Sequence, residues 1–294
     1  MKQDSIEFTR PDQRGFTLVE IAIVLLIVTI LLGYTVALFP RQQELKQYRA
    51  VNQQMDQIIA AIIGFAQING RLPCPSAPNT GGNENGGGGA DCGNYGGFVP
   101  VNTLGITGRL NADSLLLDPW GNPYRYYVTD NDFNGLGGSD FVRTGEMRLV
   151  GLVDSDLDTY IDLDGQYVIC DQADATLDDL CDFPPAVPVF GNAVGAGGPY
   201  AGAPFVLVSH GKNWNEGAAA GDELVNMGAT LTTALTTPMA NGPAGQAYFL
   251  KDEEAGETTF VRRITGFADN YDDVVKWVSP NILFSKMIEA GQLP

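Results

Sequence analysis

Glu20 is the residue whose position most needs a chemical account. It follows Gly15 by five positions in RGFTLVEIAIVLLIVTILLG (14–33) and carries the lone charge between Phe16 and Phe39. As a helix that run extends about 36 Å, more than the ~30 Å hydrocarbon core of a bilayer. An unpaired carboxylate costs about 2 to 3 kcal/mol at mid-membrane. Glu20 therefore either sits near an interface, at the positive end of the helix dipole, or is held for a purpose. Cleavage after Gly15 would leave the apolar run at the new N-terminus, with Phe16 first and Glu20 fifth. The leader, 1–15, sets Lys2, Arg10 and Arg14 against Asp4, Glu7 and Asp12. Its small residue precedes the apolar run, whereas a secretory signal peptide has one after a shorter run.

Beyond the run, two acidic clusters have the alternate oxygens that can converge on calcium. One is Asp154, Asp156, Asp158, Asp162 and Asp164; the other is Asp130, Asp132 and Asn134, followed by Gly135 and Asp140. The second follows the start of an EF-hand loop, but Phe141 stands where the bidentate glutamate belongs, and the first has Thr159 for the loop glycine. Neither is an EF-hand, yet carboxylates about 4 Å apart repel by roughly 4 kcal/mol at an effective dielectric of 20, so convergence calls for a cation. Asn213, Glu216 and Asp222 make a third, looser set. Calcium is the cofactor expected.

Four cysteines, Cys74, Cys92, Cys170 and Cys181, leave three connectivities open. The sequential pairing, Cys74 with Cys92 and Cys170 with Cys181, closes the shortest loops and is the one expected, each bridge adding about 3 kcal/mol in an oxidising compartment. No CxxC pair or His cluster shapes a zinc site. The single histidine, His210, follows Ser209 directly, a spacing that does not orient a hydroxyl toward an imidazole, and no hydrolase or dinucleotide fingerprint is present. The sequence reads as non-enzymatic. Its 294 residues carry a net charge of −18, to which the leader contributes nothing, and no basic stripe offers a groove for nucleic acid.

The elements that must position these groups divide the chain into the leader 1–15, a long helix 16–67 whose first part (16–39) spans the membrane, and a globular head 68–294. After Pro40 the helix turns amphipathic, with Leu45, Tyr48, Val51, Met55, Ile58, Ile59, Ile62 and Phe65 recurring at threes and fours. Gly33 and Pro40 bracket a weak point. Pro78 to Gly97 reads as a long glycine-rich surface loop, and it lacks the Gly-Lys-Ser or Gly-Lys-Thr of a phosphate loop. Strands are expected at 124–129, 148–153, 166–170, 204–209, 247–250 and 260–265, paired as an antiparallel sheet. A C-terminal helix is expected from the Ser279 cap and Pro280 to the Gly291 stop. The fold class is α+β.

The contiguous GFTLVE, Gly15 to Glu20, opening an apolar helix, resembles the processing site of type IV pilins and of the pseudopilins of type II secretion. The resemblance implies cleavage after Gly15 by a prepilin peptidase, N-methylation of Phe16, and assembly with other pilin or pseudopilin subunits in a homo- or hetero-filament. There Glu20 meets the Phe16 ammonium of a neighbour. It implies a single-pass anchor in the inner membrane with the head in the periplasm, then a periplasmic or extracellular filament. DPWGNPYRYYV, Asp118 to Val128, is similar to a stretch of major pseudopilins in which a turn feeds a strand of the head sheet, so Trp120, Tyr124 and Tyr126 are expected to pack that sheet against the helix. Major pseudopilins also hold calcium in a loop of the head. They are far shorter, and the insertion from about 129 to 202 has no counterpart in them. The function expected is a structural filament subunit. The alternative is a calcium-dependent adhesive or binding module carried to a filament tip as a minor pilin, which the insertion favours.

Overall fold

In a computed structural model, the structure describes residues 15, 17–132, 137–150, 165–170, 188–190, 202–212, 226, 259–262 and 271–294. The chain divides into two compact units, Met1–Tyr48 and Arg49–Pro294. Helix α1, Leu18–Asn69, runs through both, and it is unbroken at Gly33 and Pro40. In the first unit its apolar side chains from Leu18 to Leu32 are exposed. These cover about 22 Å of helix, and no helix among the described residues is long and apolar enough to cross a membrane.

In the second unit α1 is amphipathic in fact as in sequence. Val51, Met55, Ile58, Ile62 and Ala66, spaced by threes and fours, are fully buried. They face a four-stranded antiparallel sheet in the order β1-β2-β5-β7, formed by β1 Gly96–Phe98, β2 Arg125–Val128, β5 Phe205–Ser209 and β7 Val274–Trp277. Register sorts the side chains by face, since alternate residues point to opposite sides. Tyr126 lies opposite Leu207, and Leu207 opposite Lys276. On this face the Tyr124 hydroxyl donates to Gln54 Oε1 at 3.0 Å, that of Tyr126 to the Pro73 carbonyl at 3.0 Å, and Lys276 Nζ to the Asn52 carbonyl at 2.9 Å. The helix is thus tied to this face by hydrogen bonds from Tyr124 and Lys276.

The other face of the same strands is covered too. Tyr127, Val206, Val208 and Val275 cluster with Tyr167, Ile169 and Phe260. Ile169 and Phe260 come from a second sheet, ordered β4-β3-β6, made of β3 Val168–Cys170, β4 Pro188–Phe190 and β6 Thr259–Val261, and Tyr167 directly precedes β3, bridged to Ala203. Tyr127, Tyr167 and Phe260 meet edge-on or tilted, with centroids 5.0 to 6.4 Å apart. The second sheet draws its strands from the long insertions between β2 and β5 and between β5 and β7. A sheet buried on both sides reads as continuous apolar or aromatic runs, as RYYV and FVLVS do.

Three further elements complete the description: α2 Val101–Leu104, α3 Glu146–Val150 and α4 Pro280–Glu289. Ser279 caps α4, its hydroxyl accepting from the Ile282 amide, with Pro280 at the first turn and Gly291 in the left-handed region beyond the end. Gln292 reaches back to the end of α1, donating to the Gln67 carbonyl at 3.0 Å, while Gln67 donates to the Lys286 carbonyl at 3.0 Å. The last carbonyls of α1 are satisfied in this way.

Several expectations are corrected. The run expected as a strand from 148 begins instead in α3, because three apolar-flanked residues are too few to fix a period. The sheet of insertions is not wholly antiparallel, since β3 and β6 run parallel. The glycine-rich segment is not merely a loop: Gly96 and Gly97 belong to β1, where a Cβ on Gly97 would strike the Ser76 carbonyl. The strand expected at 247–250 lies outside the described residues, as does the end of the one expected at 260–265.

Candidate functional site

The N-terminal site is built on the first turn of α1. Glu20 Oε2 accepts from the Thr17 amide and from the Thr17 hydroxyl, both at 2.9 Å, while the Glu20 amide donates to Thr17 Oγ1 at 3.3 Å. This reciprocal capping box satisfies donors that the helix cannot, and it gives the carboxylate partners within its own turn of an apolar run. Both residues are exposed. Gly15 is exposed as well, and a Cβ there would meet no atom within 4 Å, so packing does not require a glycine at this position. Phe16 lies outside the described residues. Leu18, Val19, Ala22, Ile23 and Leu26 form a shallow apolar groove beside Glu20.

In the head, the DPWGNPY stretch is a turn organised by one carboxylate. Asp118 Oδ1 accepts from the amides of Trp120 at 2.9 Å and of Gly121 and Asn122 at 2.8 Å, and Oδ2 accepts from the Ser209 hydroxyl at 2.8 Å. Gly121 is left-handed, and Asn122 Nδ2 donates to the Gly211 carbonyl. The turn thereby fastens the entry of β2 to the exit of β5. Burial pushes the Asp118 carboxyl up, against the pull of these four donated bonds. Replacing Asp118 with Ala removes the side-chain acceptor of three amides, that of Asn122 buried and those of Trp120 and Gly121 part-buried, and is expected to cost about 2 to 4 kcal/mol in urea unfolding. Asp118→Asn, which keeps Oδ1 and loses the charge, is expected to cost less. Because burial raises the folded-state value, ionised Asp118 opposes folding as pH rises through it, and the Asn variant is expected to flatten that part of the stability profile. Equal losses in the two variants would sink this account of the turn.

His210 immediately follows β5, as expected, and is buried. Its Nδ1 lies 3.5 Å from Asp273 Oδ1, whose other oxygen accepts from Asn226 Nδ2 at 2.9 Å. Ser209 donates to Asp118 and His210 faces Asp273, so the adjacent serine and histidine engage different carboxylates.

Among the described residues, no group of three or more His, Cys, Asp or Glu is placed to hold a metal. Asp132 Oδ2 accepts from the Gly137 amide at 2.8 Å within its own loop, and Asp140 is buried. Asn134, the cluster Asp154, Asp156, Asp158, Asp162 and Asp164, and the set Asn213, Glu216 and Asp222 lie outside the described residues. Negative charge does converge elsewhere: burial first, then Asp91 and Asp130, push the Tyr95 phenol up to about 12. Asp91 Oδ1 also accepts from the Ser139 amide at 3.1 Å, joining the glycine-rich segment to the 130–140 loop.

Cys74 and Cys92 form a disulfide, with Cα atoms 5.4 Å apart, as the shortest-loop pairing predicts. Cys181 lies outside the described residues. Sequence reasoning missed the group beneath the bridge. Arg71, 6% exposed, donates from Nη1 to Glu84 Oε2 at 2.8 Å and from Nη2 to Oε1 at 2.7 Å, and its guanidinium stacks over Phe65 at 4.9 Å. A basic residue at the end of a helix and an acid in a glycine-rich stretch 13 positions later carry no periodic signal.

A family model described as the prokaryotic N-terminal methylation motif matches residues 10–36. That span contains Gly15, Phe16, Thr17 and Glu20. Comparison with curated proteins and with solved structures finds no match.

Proposed function

We propose that this chain, which carries a prokaryotic N-terminal methylation motif, is a structural subunit of a type IV pilus-like or type II secretion filament. The observation that supports the reading is the coincidence of the motif with the start of α1: the helix begins two residues after Phe16, and Glu20 stands in its first turn. Prepilin peptidase removes residues 1–15 and Phe16 is methylated. The apolar run to Phe39, about 36 Å as helix, anchors the precursor in the inner membrane with its head in the periplasm. On assembly the capping box opens, and the Glu20 carboxylate meets the Phe16 ammonium of another pilin or pseudopilin subunit. The work is mechanical, with helices bundled in the filament and heads presented on its surface. Intact-mass analysis of assembled material is expected to show a chain starting at N-methylated Phe16. Filaments built from chains that retain residues 1–15 would overturn the proposal.

The second reading, a calcium-dependent binding module at a filament tip, draws support from the acidic run Asp154 to Asp164. Thermal unfolding of the full chain in detergent is expected to shift upward from chelator to millimolar calcium. A site half-filled at one hundredth of the free calcium adds about 2.7 kcal/mol. Identical unfolding in chelator, magnesium and calcium removes the ion, and this reading with it.

A further inference from the structure

Nine of the twenty residues from Pro78 to Gly97 are glycine, so the segment has little conformational preference of its own. It is nevertheless folded back in short legs. Ser76 bridges Glu84 and Gly86 bridges Cys92, both antiparallel; the Asn85 amide donates to the Pro75 carbonyl at 3.0 Å and the Gly93 amide to the Asn85 carbonyl at 2.7 Å. The middle leg, 84–86, therefore lies between the two cysteine-bearing legs and is bonded to each. Glu84 fixes it. Its carboxylate takes the Arg71 fork and also accepts from the Cys74 amide at 3.1 Å, while its own amide donates to Thr103 Oγ1 at 2.9 Å. A Cβ on Gly87 would lie within 2.8 Å of both Arg71 and Glu84, so the chain passes over the pair at glycine distance.

We propose that the Arg71–Glu84 pair positions the cysteines for oxidation: it docks the middle leg on Cys74 before the sulfurs join, and so selects Cys92 over Cys170 and Cys181. Chain length alone discriminates weakly. Cys74 is 18 residues from Cys92 and 170 − 74 = 96 from Cys170, which on a −3/2 power law favours the near partner only about twelvefold. A bidentate guanidinium–carboxylate pair adds the orientation that a glycine-rich loop lacks. The covalent step is thiol–disulfide exchange. One cysteine thiolate attacks a small external disulfide such as oxidised glutathione, releasing one glutathione thiol. The second cysteine then attacks the mixed disulfide, forming the protein S–S bond and releasing a second glutathione thiol. Two electrons and two protons leave with the two thiols.

The test is oxidative refolding of the reduced full chain in detergent and glutathione buffer, with alkylation at intervals and non-reducing peptide mapping. The parent chain is expected to give the Cys74–Cys92 peptide. Glu84→Gln, which breaks the ion pair but retains an acceptor, is expected to raise species joining Cys74 to Cys170 or Cys181 about fivefold, with Arg71→Lys between the two. Asp118→Ala, destabilising elsewhere in the head, is expected to keep native pairing. Native pairing at the parent rate in Glu84→Gln, or equal mispairing in Asp118→Ala, overturns the proposal. The order of events is tested separately in a Cys74→Ser/Cys92→Ser chain, where the Asn85 and Gly93 amides are expected to stay protected from hydrogen exchange while Arg71 and Glu84 are intact. Free exchange there would mean that the bridge comes first, and the proposal fails.

Discussion

Glu20→Val is expected to leave the head folded and the helix inserted while incorporation into filaments falls about a hundredfold. The substitution removes about 2 to 3 kcal/mol of burial cost in an apolar environment, so insertion does not suffer. It also removes the capping box with Thr17, worth about 1 kcal/mol at an exposed helix start. The larger loss comes on assembly, where the neighbour's Phe16 ammonium is stranded without its partner at a cost of about 3 to 5 kcal/mol. A hundredfold drop corresponds to about 2.7 kcal/mol, just under the lower end of that range. The measurement is the ratio of this chain in sheared filaments to that in membranes. Thr17→Val is the companion variant, since it releases Glu20 without removing the charge and is expected to preserve incorporation. Parent-like incorporation of Glu20→Val would reduce the carboxylate to a helix cap.

Removing the covalent tie is expected to cost the head about as much as removing the Asp118 carboxylate from its turn. Cys74 is fully buried and Cys92 nearly so, and the bridge closes a separation of 18 residues. Chain-entropy reasoning gives about 3 kcal/mol for a loop of this size. The Cys74→Ser/Cys92→Ser chain is thus expected to unfold about 3 kcal/mol more easily in denaturant, with the slope also changed because the glycine-rich segment is freer in the unfolded state. A loss below about 1 kcal/mol would mean that Arg71, Glu84 and the backbone bridges hold the segment unaided.

What the sequence shows of this protein is local. Ser279, Pro280 and Gly291 announce the ends of α4 because capping chemistry is confined to a few adjacent residues. The spacing of Val51, Met55, Ile58 and Ile62 announces the covered stripe of α1 for the same reason. The DPWG turn is legible as a turn, yet the partner that locks it, Ser209, is 91 residues away. Strand β1 is two glycines and a phenylalanine, a composition that reads as loop; it is a strand only because Gly96 to Phe98 find Tyr127 to Arg125 opposite. Strand β7 follows two adjacent aspartates, Asp272 and Asp273, which are buried although carboxylates are mostly found exposed. The parallel pairing of Val168 with Thr259 spans 91 residues and leaves no mark on either segment alone. At the N-terminal site the methylation motif is readable because it is written in consecutive residues; the cap that Thr17 makes with Glu20 has a sequence signature too, in the three-residue spacing, but the apolar run around it obscures that signature.

The bonds that close over the second half of α1 set a schedule for biosynthesis. Asp56 and Gln67 are met by Lys276, Lys286 and Gln292, between 219 and 225 positions later. At about 5 to 20 residues per second, the ribosome needs roughly 10 to 45 s to deliver those partners after the helix has emerged. Throughout that interval the stripe of Val51, Met55, Ile58 and Ile62 has no β7 or α4 to cover it. The nascent chain therefore presents sticky surface for far longer than a helix–loop–helix protein of this size, and its survival depends on whatever shields that stripe until the final twenty residues arrive.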